Sequence, residues 1–349
     1  MSVGRLCRGS ASVTGETMGR LSGKVVVVTG AGRGLGREYA LATAAEGAKV
    51  LVNDVGRELV GGEEGEGLGS KPPGGGGLVN TPPDISVAQS VVDEIVAAGG
   101  EAVANDFDVS TVESAANVVY AAADAFGDVH AVINNAGTYH AVDIEDVDDA
   151  RLDADFGVNV HGAAGTTKAA FEVMKRNGHG GSIVNMMTGF GGFPAGPDLA
   201  GYTVAKYGVV AWTLATAAAG LPHGIRANAF CPAALTRQAK GYFIKAGFAS
   251  GDADTIKRFG PDRMAPLTVF LASDAARDIT GRLLVFVPTG FGADAQYVLK
   301  ETFVAETEGV VLPTWTVDDI EREVGALIRK SDRQGEWKAE LSGHEHRYD

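Results

Sequence analysis

Cysteine, positive charge and long apolar runs are all scarce in this sequence. Only two of its 349 residues are cysteines, which excludes a disulfide framework and a cysteine-ligated zinc site and favours the cytoplasm. The 30 Lys and Arg against 44 Asp and Glu leave a net charge of −14, so we expect no nucleic-acid partner. Apolar runs such as Val25–Val28 have the length of strands, so we expect no membrane-spanning segment and no membrane partner. The histidine spacing predicts no metal site.

Glycine, by contrast, is abundant, and short apolar runs alternate with alanine-rich segments of helical spacing. Glycine accounts for 49 residues, about twice its usual share. Near-continuous apolar character predicts strands buried on both faces at 24–30, 49–54, 101–106, 129–135, 181–187, 225–230 and 282–287. Helical segments lie between them at 34–46, 86–98, 111–126, 146–177, 201–220 and 264–273. This alternation predicts an α/β fold with a doubly wound parallel sheet of seven strands in a three-layer α/β/α arrangement.

The composition divides the chain into one domain and two extensions. We predict an N-terminal extension at 1–21, a single domain at 22–294 and a C-terminal extension at 295–349. Within the domain, residues 56–83 contain ten glycines and four prolines, a composition that predicts a surface insertion. In the C-terminal extension, the pattern predicts one helix at 316–330 with Thr316 as its N-cap.

A glycine-rich turn separates the first predicted strand from the first helix. Its sequence from Thr29 to Gly36, TGAGRGLG, allows the backbone to approach a pyrophosphate at the helix N-terminus. Asp54 ends the second strand, where it is placed to bind both ribose hydroxyls and to repel a 2′-phosphate. Arg33 is a cation that either pairs with such a phosphate or stays solvated. We give Asp54 the greater weight and predict a Rossmann-type site for NAD, with NADP less favoured.

Tyr202 and Lys206 form a second candidate motif. Their spacing at the start of a predicted helix places both side chains on one face, one turn apart. An ammonium group close to a phenol favours the phenolate and makes the tyrosine usable as an acid or base near neutral pH. The alternative is that Lys206 is an exposed surface lysine and that Tyr202 only packs against its neighbours, with no catalytic role. The nearby dinucleotide motif favours the catalytic interpretation.

Together these motifs resemble the short-chain dehydrogenase/reductase family over residues 22–290. The resemblance rests on TGAGRGLG, on Asn134-Asn135-Ala136-Gly137 after the fourth strand, on Asn159, and on Tyr202 with Lys206. Within the family, the VNDVG, VVDEIVAAGGEAVAN and LASDAARDITGRLLVF segments resemble the (3R)-hydroxyacyl-CoA dehydrogenase domains of multifunctional β-oxidation proteins and their stand-alone bacterial relatives. The resemblance implies an oxidoreductase that interconverts a secondary alcohol and a ketone by hydride transfer.

The resemblance also implies a role for each matching residue. Tyr202 exchanges the proton of the substrate hydroxyl, Lys206 holds the nicotinamide ribose and lowers the pKa of Tyr202, and Asn159 positions a water that relays protons. An alternative for Asn159 is a hydrogen bond that only satisfies helix backbone. The implied cofactor-binding residues are Gly30, Arg33, Gly34, Leu35, Gly36, Asp54, Asp108, Val109, Asn135, Ala136, Gly137, Tyr202, Lys206, Pro232 and Thr236.

One position departs from the family pattern. The family has a serine thirteen residues before the tyrosine, where this sequence has Gly189. Counting forward from the fifth strand places Thr188 at the serine position, with one extra loop residue after it. A threonine hydroxyl donates the same hydrogen bond, so Thr188 is our candidate. The alternative is a site that has lost this hydroxyl, which would make the chain a catalytically weakened NAD-binding protein.

The predicted substrate-loop region is 234–263. It carries cations that either meet the phosphates of coenzyme A or form a solvated face: Arg237, Lys240, Lys245, Lys257, Arg258 and Arg263. Aromatic and imidazole side chains suggest a pocket for a ring or an acyl chain: Tyr139, His140, Phe190, Phe193 and Tyr242. A 3-hydroxyacyl-CoA-type substrate is therefore the first expectation, with a steroid or cyclic alcohol as the alternative. The family implies a homotetramer or homodimer packed through helices 146–177 and 201–220.

Overall fold

The computed structural model describes most of the predicted domain. The described residues are 18–57, 82–188, 198–239, 257–289, 296–302, 309–312 and 314–331. In the last of these ranges, side chains are described only up to residue 327. Most of the glycine-rich insertion and the central part of the predicted substrate-loop region lie outside these residues. The same holds for Phe190, Phe193, Lys240, Tyr242 and Lys245.

A single nine-stranded sheet lies at the centre, in the order β3-β2-β1-β4-β5-β6-β7-β8-β9. Its strands are β1 (Val25–Thr29), β2 (Lys49–Asn53), β3 (Glu101–Asn105), β4 (Ala131–Asn134), β5 (Gly181–Met186), β6 (Ile225–Pro232), β7 (Leu283–Pro288), β8 (Tyr297–Glu301) and β9 (Val310–Leu312). Pairings among β1–β7 are parallel. This confirms the predicted doubly wound sheet, whose strand order reverses at β1 and β4, where such folds bind ligands.

Helices cover both faces of the sheet. They are α1 (Gly34–Ala45), α2 (Ser86–Ala97), α3 (Val112–Phe126), α4 (Asp149–Phe156), α5 (Gly162–Asn177), α6 (Ala200–Gly220), α7 (Ala265–Ala272) and α8 (Val317–Ser331). Alternate residues of β1 serve the two faces: Val26 and Val28 pack with α1, α2 and α7, whereas Val25 and Val27 pack with α3 and α5. The result is the predicted three-layer α/β/α arrangement.

The last two strands extend the sheet beyond the seven that the sequence predicts. β8 pairs antiparallel with β7, and β9 pairs antiparallel with β8. In β8, Tyr297 and Leu299 are buried while their neighbours are half-buried, so the strand alternates and has no continuous apolar run. Its Glu301 forms a buried ion pair with Arg282 at 2.8 Å. The predicted C-terminal extension therefore contributes two strands to the central sheet.

Two helical predictions have different outcomes. The predicted helix at 316–330 is found as α8, and the Asp319 N–H donates to the Thr316 hydroxyl, as expected for an N-cap. The predicted helix at 146–177 is divided into α4 and α5 by a π-helical turn, Gly157–His161. Such turns occur frequently at functional sites.

One described helix meets the length and hydropathy criteria for a membrane span. Within Ala200–His223, an 18-residue window has a mean hydropathy of 1.3, and 44% of that window is buried inside the protein. The expectation that no segment is long and apolar enough is therefore corrected. Buried core helices meet the same criteria, and this one packs on β6 and carries Tyr202 and Lys206.

Candidate active site

The glycine-rich turn between β1 and α1 is packed too closely for side chains. A Cβ atom on Gly30 would lie 2.8 Å from the Ala136 Cα, and one on Gly36 would lie 2.1 Å from the Gly30 carbonyl oxygen. Gly30 and Gly34 also have positive φ angles of 61° and 53°. Because α1 has no side-chain cap and no acidic residue in its first turn, its N-terminal amides are free to bind an anion.

Asp54 follows β2 beside this turn, as predicted. Its two carboxylate oxygens accept hydrogen bonds from the backbone N–H groups of Gly32, at 2.9 Å, and Gly56, at 2.8 Å. Each oxygen retains a second lone pair for a ligand hydroxyl. Arg33 donates to the Arg57 carbonyl at 3.4 Å, so its side chain lies on the same side of the turn. Asp54 and Arg33, the two residues predicted to select between NAD and NADP, therefore border the same space beside the glycine turn.

The loops after β3, β4 and β6 bring further predicted residues to the same edge. Asp108 pairs with Arg57 at 3.0 Å, whereas Val109 is buried. Asn135 donates its side-chain amide to the carbonyls of Thr29 and Gly30, which ties the β4 loop to the glycine turn. The other predicted cofactor-binding residues lie nearby. Leu35 packs on the core and Pro232 ends β6. The Thr236 Cγ2 lies 3.6 Å from the position that a Cβ atom on Gly34 would take.

Tyr202 and Lys206 lie in the first two turns of α6 and face the carboxyl edge of the sheet. The Lys206 Nζ lies 5.8 Å from the centroid of the Tyr202 ring and donates to the Met186 carbonyl at 3.1 Å. Lys206 is 5% exposed, and burial lowers the pKa of its ammonium group to about 8. The lysine is thus a buried cation and not a surface residue.

Burial is the largest influence on Tyr202. It raises the pKa of the phenol well above its ordinary value, and a side-chain hydrogen bond with Thr188 acts in the opposite direction. The expected lowering of the Tyr202 pKa by Lys206 is therefore corrected, because burial outweighs the one lowering influence, which comes from Thr188 and not from Lys206. This influence on the pKa places Thr188, two residues after β5, near the tyrosine hydroxyl.

Asn159 lies in the π-helical turn and is almost fully buried. Its side-chain N–H groups donate to the carbonyls of Thr138 and Asp155, each at 2.8 Å. Among the described residues its Oδ1 atom has no hydrogen-bond partner. A Cβ atom on Gly137 would lie 2.9 Å from this Oδ1 and 3.3 Å from the Lys206 Nζ. The amide oxygen and the ammonium group therefore border the same small space.

We expect Gly137→Ala to reduce turnover while the protein still folds. The new methyl group would crowd the ends of two side chains, whereas the nearest backbone atom, the Asn135 carbonyl oxygen, would lie at an ordinary contact distance of 3.8 Å, so these side chains would move by a few tenths of an ångström. Misplacement on this scale predicts a loss of roughly 10- to 100-fold in kcat/KM. Steady-state kinetics beside a thermal unfolding curve would check it. Unchanged turnover would show that the space between Asn159 and Lys206 is not needed.

Sequence reasoning missed several residues that support the site. The buried carboxylate of Asp155 accepts from the His140 Nδ1 at 2.8 Å. Gln238 donates to the Gly137 carbonyl at 3.5 Å, and the Met186 carbonyl accepts from Lys206. Backbone carbonyls leave no mark in a sequence, and the spacing of Asp155 and His140 matches no motif. Tyr139, predicted to line the pocket, packs edge-to-face on Tyr202 with a centroid distance of 6.2 Å.

A cluster of possible metal ligands lies at the opposite edge of the sheet. One ligand atom from each of Asp128, His130 and His179 falls within 4.8 Å of the others. The His130 Nδ1, however, accepts a hydrogen bond from the Val25 N–H at 3.1 Å, so the proton of the neutral ring resides on Nε2. That nitrogen is the one closest to Asp128, at 3.8 Å. On the neutral ring it carries the proton and has no free lone pair, so the arrangement does not suit metal coordination.

Comparison with known proteins gives consistent family matches. A family model described as short chain dehydrogenase matches residues 24–63, and one described as enoyl-(acyl carrier protein) reductase matches residues 77–290. A short-chain type dehydrogenase/reductase of Mycobacterium tuberculosis is 34% identical over 262 residues, covering 73% of this chain and 79% of the relative. The crystal structure of a short chain dehydrogenase from Mycobacterium avium is 31% identical with a TM-score of 0.62, covering 89% of this chain and 96% of that chain.

A second group of relatives is longer. Peroxisomal multifunctional enzyme type 2 of Mus musculus is 32% identical over 262 residues, which is 75% of this chain. The match spans only 31% of the length of that enzyme. The glycine turn, the Tyr202–Lys206 pair and the sheet order are thus found in a chain whose relatives include short-chain dehydrogenases. The chain belongs to the short-chain dehydrogenase/reductase family of oxidoreductases.

Proposed function

We propose that the protein is an NAD-dependent dehydrogenase that interconverts a secondary alcohol and a ketone, with a 3-hydroxyacyl-CoA-type substrate as the first choice. The observation that carries the proposal is the grouping of Thr188, Tyr202 and Lys206 beside the glycine turn. A hydroxyl donor, a proton-exchanging phenol and a buried cation are the groups that carbonyl–alcohol interconversion requires.

The residues present fit a nicotinamide dinucleotide. The turn at Gly30 and Gly36 has no room for a Cβ atom, and the first turn of α1 offers uncapped amides to a pyrophosphate. Asp54 offers one remaining lone pair on each oxygen to ribose hydroxyls. When bound, the cofactor accepts or donates the hydride. In this proposal Pro232 and Thr236 border the nicotinamide end.

The protein's own side chains handle the proton. During alcohol oxidation the Tyr202 phenolate takes the hydroxyl proton as the hydride leaves the carbon, and during ketone reduction the Tyr202 phenol returns a proton to the oxygen. Thr188 donates a hydrogen bond to that same oxygen. Lys206 holds ribose hydroxyls, and the Asn159 Oδ1, which has no hydrogen-bond partner among the described residues, is suited to hold a water beside the Lys206 ammonium.

Asp54→Asn tests the proposed preference for NAD. The amide keeps the shape of the side chain and an oxygen acceptor, but it removes the charge that repels a 2′-phosphate, while Arg33 stays in place. We expect the ratio of kcat/KM with NAD to that with NADP to fall by about tenfold or more. A tenfold change corresponds to about 1.4 kcal/mol. An unchanged ratio would remove Asp54 from cofactor selection.

The substrate class is proposed from the relatives and from the walls of the site. Tyr139 and Leu199 are buried beside Tyr202 and make an apolar lining for an acyl chain or a ring. Similarity to a peroxisomal multifunctional enzyme favours the acyl-CoA alternative. A steroid or cyclic alcohol is the second candidate, because the same apolar lining accepts a ring.

The proposed function is tested by NADH formation from NAD with a substrate panel. The panel contains (3R)-hydroxyacyl-CoAs, hydroxysteroids and cyclic secondary alcohols, and NADH binding is measured in parallel by fluorescence. We expect turnover with one class, the acyl-CoAs first. Silence across the panel with intact NADH binding would contradict the proposal and favour a catalytically weakened NAD-binding protein. The proposed cytoplasmic homotetramer or homodimer, packed through α4–α5 and α6, is tested separately by light scattering.

A further inference from the structure

A backbone contact from outside the candidate active site holds the loop that follows β6. The Leu235 N–H donates to the Phe259 carbonyl oxygen at 2.6 Å. The next residue along the loop is Thr236, whose Cγ2 lies 3.6 Å from the position that a Cβ atom on Gly34 would take. Phe259 therefore holds the loop at the residue directly before its contact with the glycine turn.

Phe259 belongs to a buried group of aromatic side chains that joins this loop to the end of the chain. This aromatic cluster consists of Phe259, Phe286, Tyr297 and Trp315, each at most 8% exposed. The Phe259 ring lies edge-to-face on the Tyr297 ring, with a centroid distance of 6.4 Å. Phe286 contacts both Tyr297 and Trp315, with centroid distances of 5.5 and 5.6 Å. The cluster therefore connects β7, β8 and the segment before α8 to the loop after β6.

Hydrogen bonds fix the geometry of the aromatic cluster. The Tyr297 hydroxyl donates to the Arg258 carbonyl at 3.5 Å, and the Trp315 Nε1–H donates to the Tyr297 carbonyl at 3.0 Å. Burial raises the pKa of the Tyr297 phenol, so the hydroxyl keeps its proton at neutral pH. Apolar burial requires neither polar group. The Tyr297 hydroxyl is instead directed at the backbone of the residue before Phe259.

This support acts on one end of the candidate cofactor site. The glycine turn at the other end is held separately, because the Asn135 side-chain amide donates to the carbonyls of Thr29 and Gly30. A functional site keeps its geometry when the residues behind it are locked by packing and hydrogen bonds. A change in the aromatic cluster is therefore expected to move the loop after β6 and to leave the glycine turn in place.

We propose that Phe259 and Tyr297 are positioning residues that set the distance between the loop after β6 and the nicotinamide end of the cofactor. This inference rests on the proposed function, in which Pro232 and Thr236 border that end. The two aromatic side chains touch no reacting atom and act through the Leu235 backbone. The predicted C-terminal extension, which supplies Tyr297, thereby supports the cofactor site from behind.

The test compares binding of NADH with binding of ADP-ribose, which has the same adenosine and pyrophosphate but no nicotinamide. NADH binding is followed by fluorescence and ADP-ribose binding by calorimetry, both with the full chain. Phe259→Leu keeps a buried apolar side chain and removes the edge-to-face contact with Tyr297. We expect the dissociation constant for NADH to rise by roughly five- to tenfold, the range that one aromatic pair supplies. The dissociation constant for ADP-ribose is expected to stay unchanged.

Two further variants separate positioning from general destabilisation. Phe270→Leu makes the same change at an equally buried position on α7. We expect it to lower the melting temperature, measured by thermal unfolding, and to leave both dissociation constants unchanged. Tyr297→Phe keeps the ring and removes only the hydroxyl that bonds the Arg258 carbonyl. Loss of this hydrogen bond is expected to raise the dissociation constant for NADH by about threefold.

NADH affinities in Phe259→Leu and Tyr297→Phe that equal the wild-type value would overturn the proposal. Equal losses of NADH and ADP-ribose binding would also overturn it, because they would show a general effect on the fold. Either result leaves the proposed dehydrogenase function standing. Wild-type protein that binds NADH but oxidises no panel alcohol would contradict that function, while selective loss of NADH binding in Phe259→Leu would still support positioning. Wild-type protein that binds no NADH would contradict both.

Discussion

Tyr202→Phe is expected to lower kcat/KM by roughly 10³-fold or more, within the range that general acid–base catalysis supplies. The change removes one hydroxyl from a ring that packs against Tyr139, so the ring remains in place. Cofactor binding, which the glycine turn and Asp54 supply, is expected to change little. The measurement is NADH formation beside NADH binding, with Tyr120→Phe as the control, because the Tyr120 hydroxyl bonds Glu172 on the outer surface. Retained turnover in Tyr202→Phe would remove Tyr202 from the mechanism.

The raised pKa of Tyr202 gives the pH dependence a definite sign. At neutral pH the phenol is protonated, because burial disfavours the phenolate. Alcohol oxidation needs the phenolate and is expected to increase as the pH rises. Ketone reduction needs the phenol, which stays populated below the raised pKa, and is expected to change little with pH over the same range. A rise of kcat/KM with pH that is confined to alcohol oxidation would support Tyr202 as the group that exchanges the proton, and this rise is expected to vanish with Tyr202→Phe.

Thr188→Ala is the second change with a large expected effect. It removes the hydroxyl that reaches Tyr202 and that we assign to the substrate oxygen. Loss of one such donor costs on the order of 100-fold in kcat, because the developing charge on the oxygen is then left without a hydrogen bond. Thr188→Ser keeps the hydroxyl and is expected to stay within a few-fold of wild type, while Thr188→Val keeps the shape and behaves like alanine.

The three Thr188 variants separate the two interpretations of this position. Activity that follows the hydroxyl, high for threonine and serine and low for alanine and valine, would show that Thr188 replaces the family serine. Equal activity in all of them would show that the site works without this donor. The comparison is made on kcat at saturating substrate, since a change confined to KM would indicate packing and not stabilisation of charge.

The central sheet was predictable because its strands carry their own signal. β1, with four consecutive valines, is buried on both faces and can only lie inside a covered parallel sheet. β8 lacked this signal, because Lys300 interrupts its apolar residues and its buried Glu301 is a charged residue paired with Arg282. The π-helical turn at Asn159 was equally hidden, since it differs from an α-helix in its backbone hydrogen bonding, which no residue pattern in the sequence marks.

The candidate site was predictable where spacing along one helix or one turn determined it. Tyr202 and Lys206 lie on one face of α6, and Asp54 lies beside the glycine turn, as their positions in the sequence suggested. The pKa of Tyr202 was not predictable, because a sequence shows a neighbouring lysine but does not show burial. The Asp155–His140 contact joins two elements and depends on the path of the loop after β4, which no local pattern specifies.

Direct hydride transfer from a secondary alcohol is the central claim, and isotope transfer tests it most directly. The panel alcohol that is oxidised fastest is deuterated at its carbinol carbon and incubated with NAD and the protein, and the reduced cofactor is analysed by mass spectrometry. We expect each reduced cofactor to carry one deuterium and Tyr202→Phe to form almost no reduced cofactor. Reduced cofactor without deuterium, or equal formation in Tyr202→Phe, would contradict it.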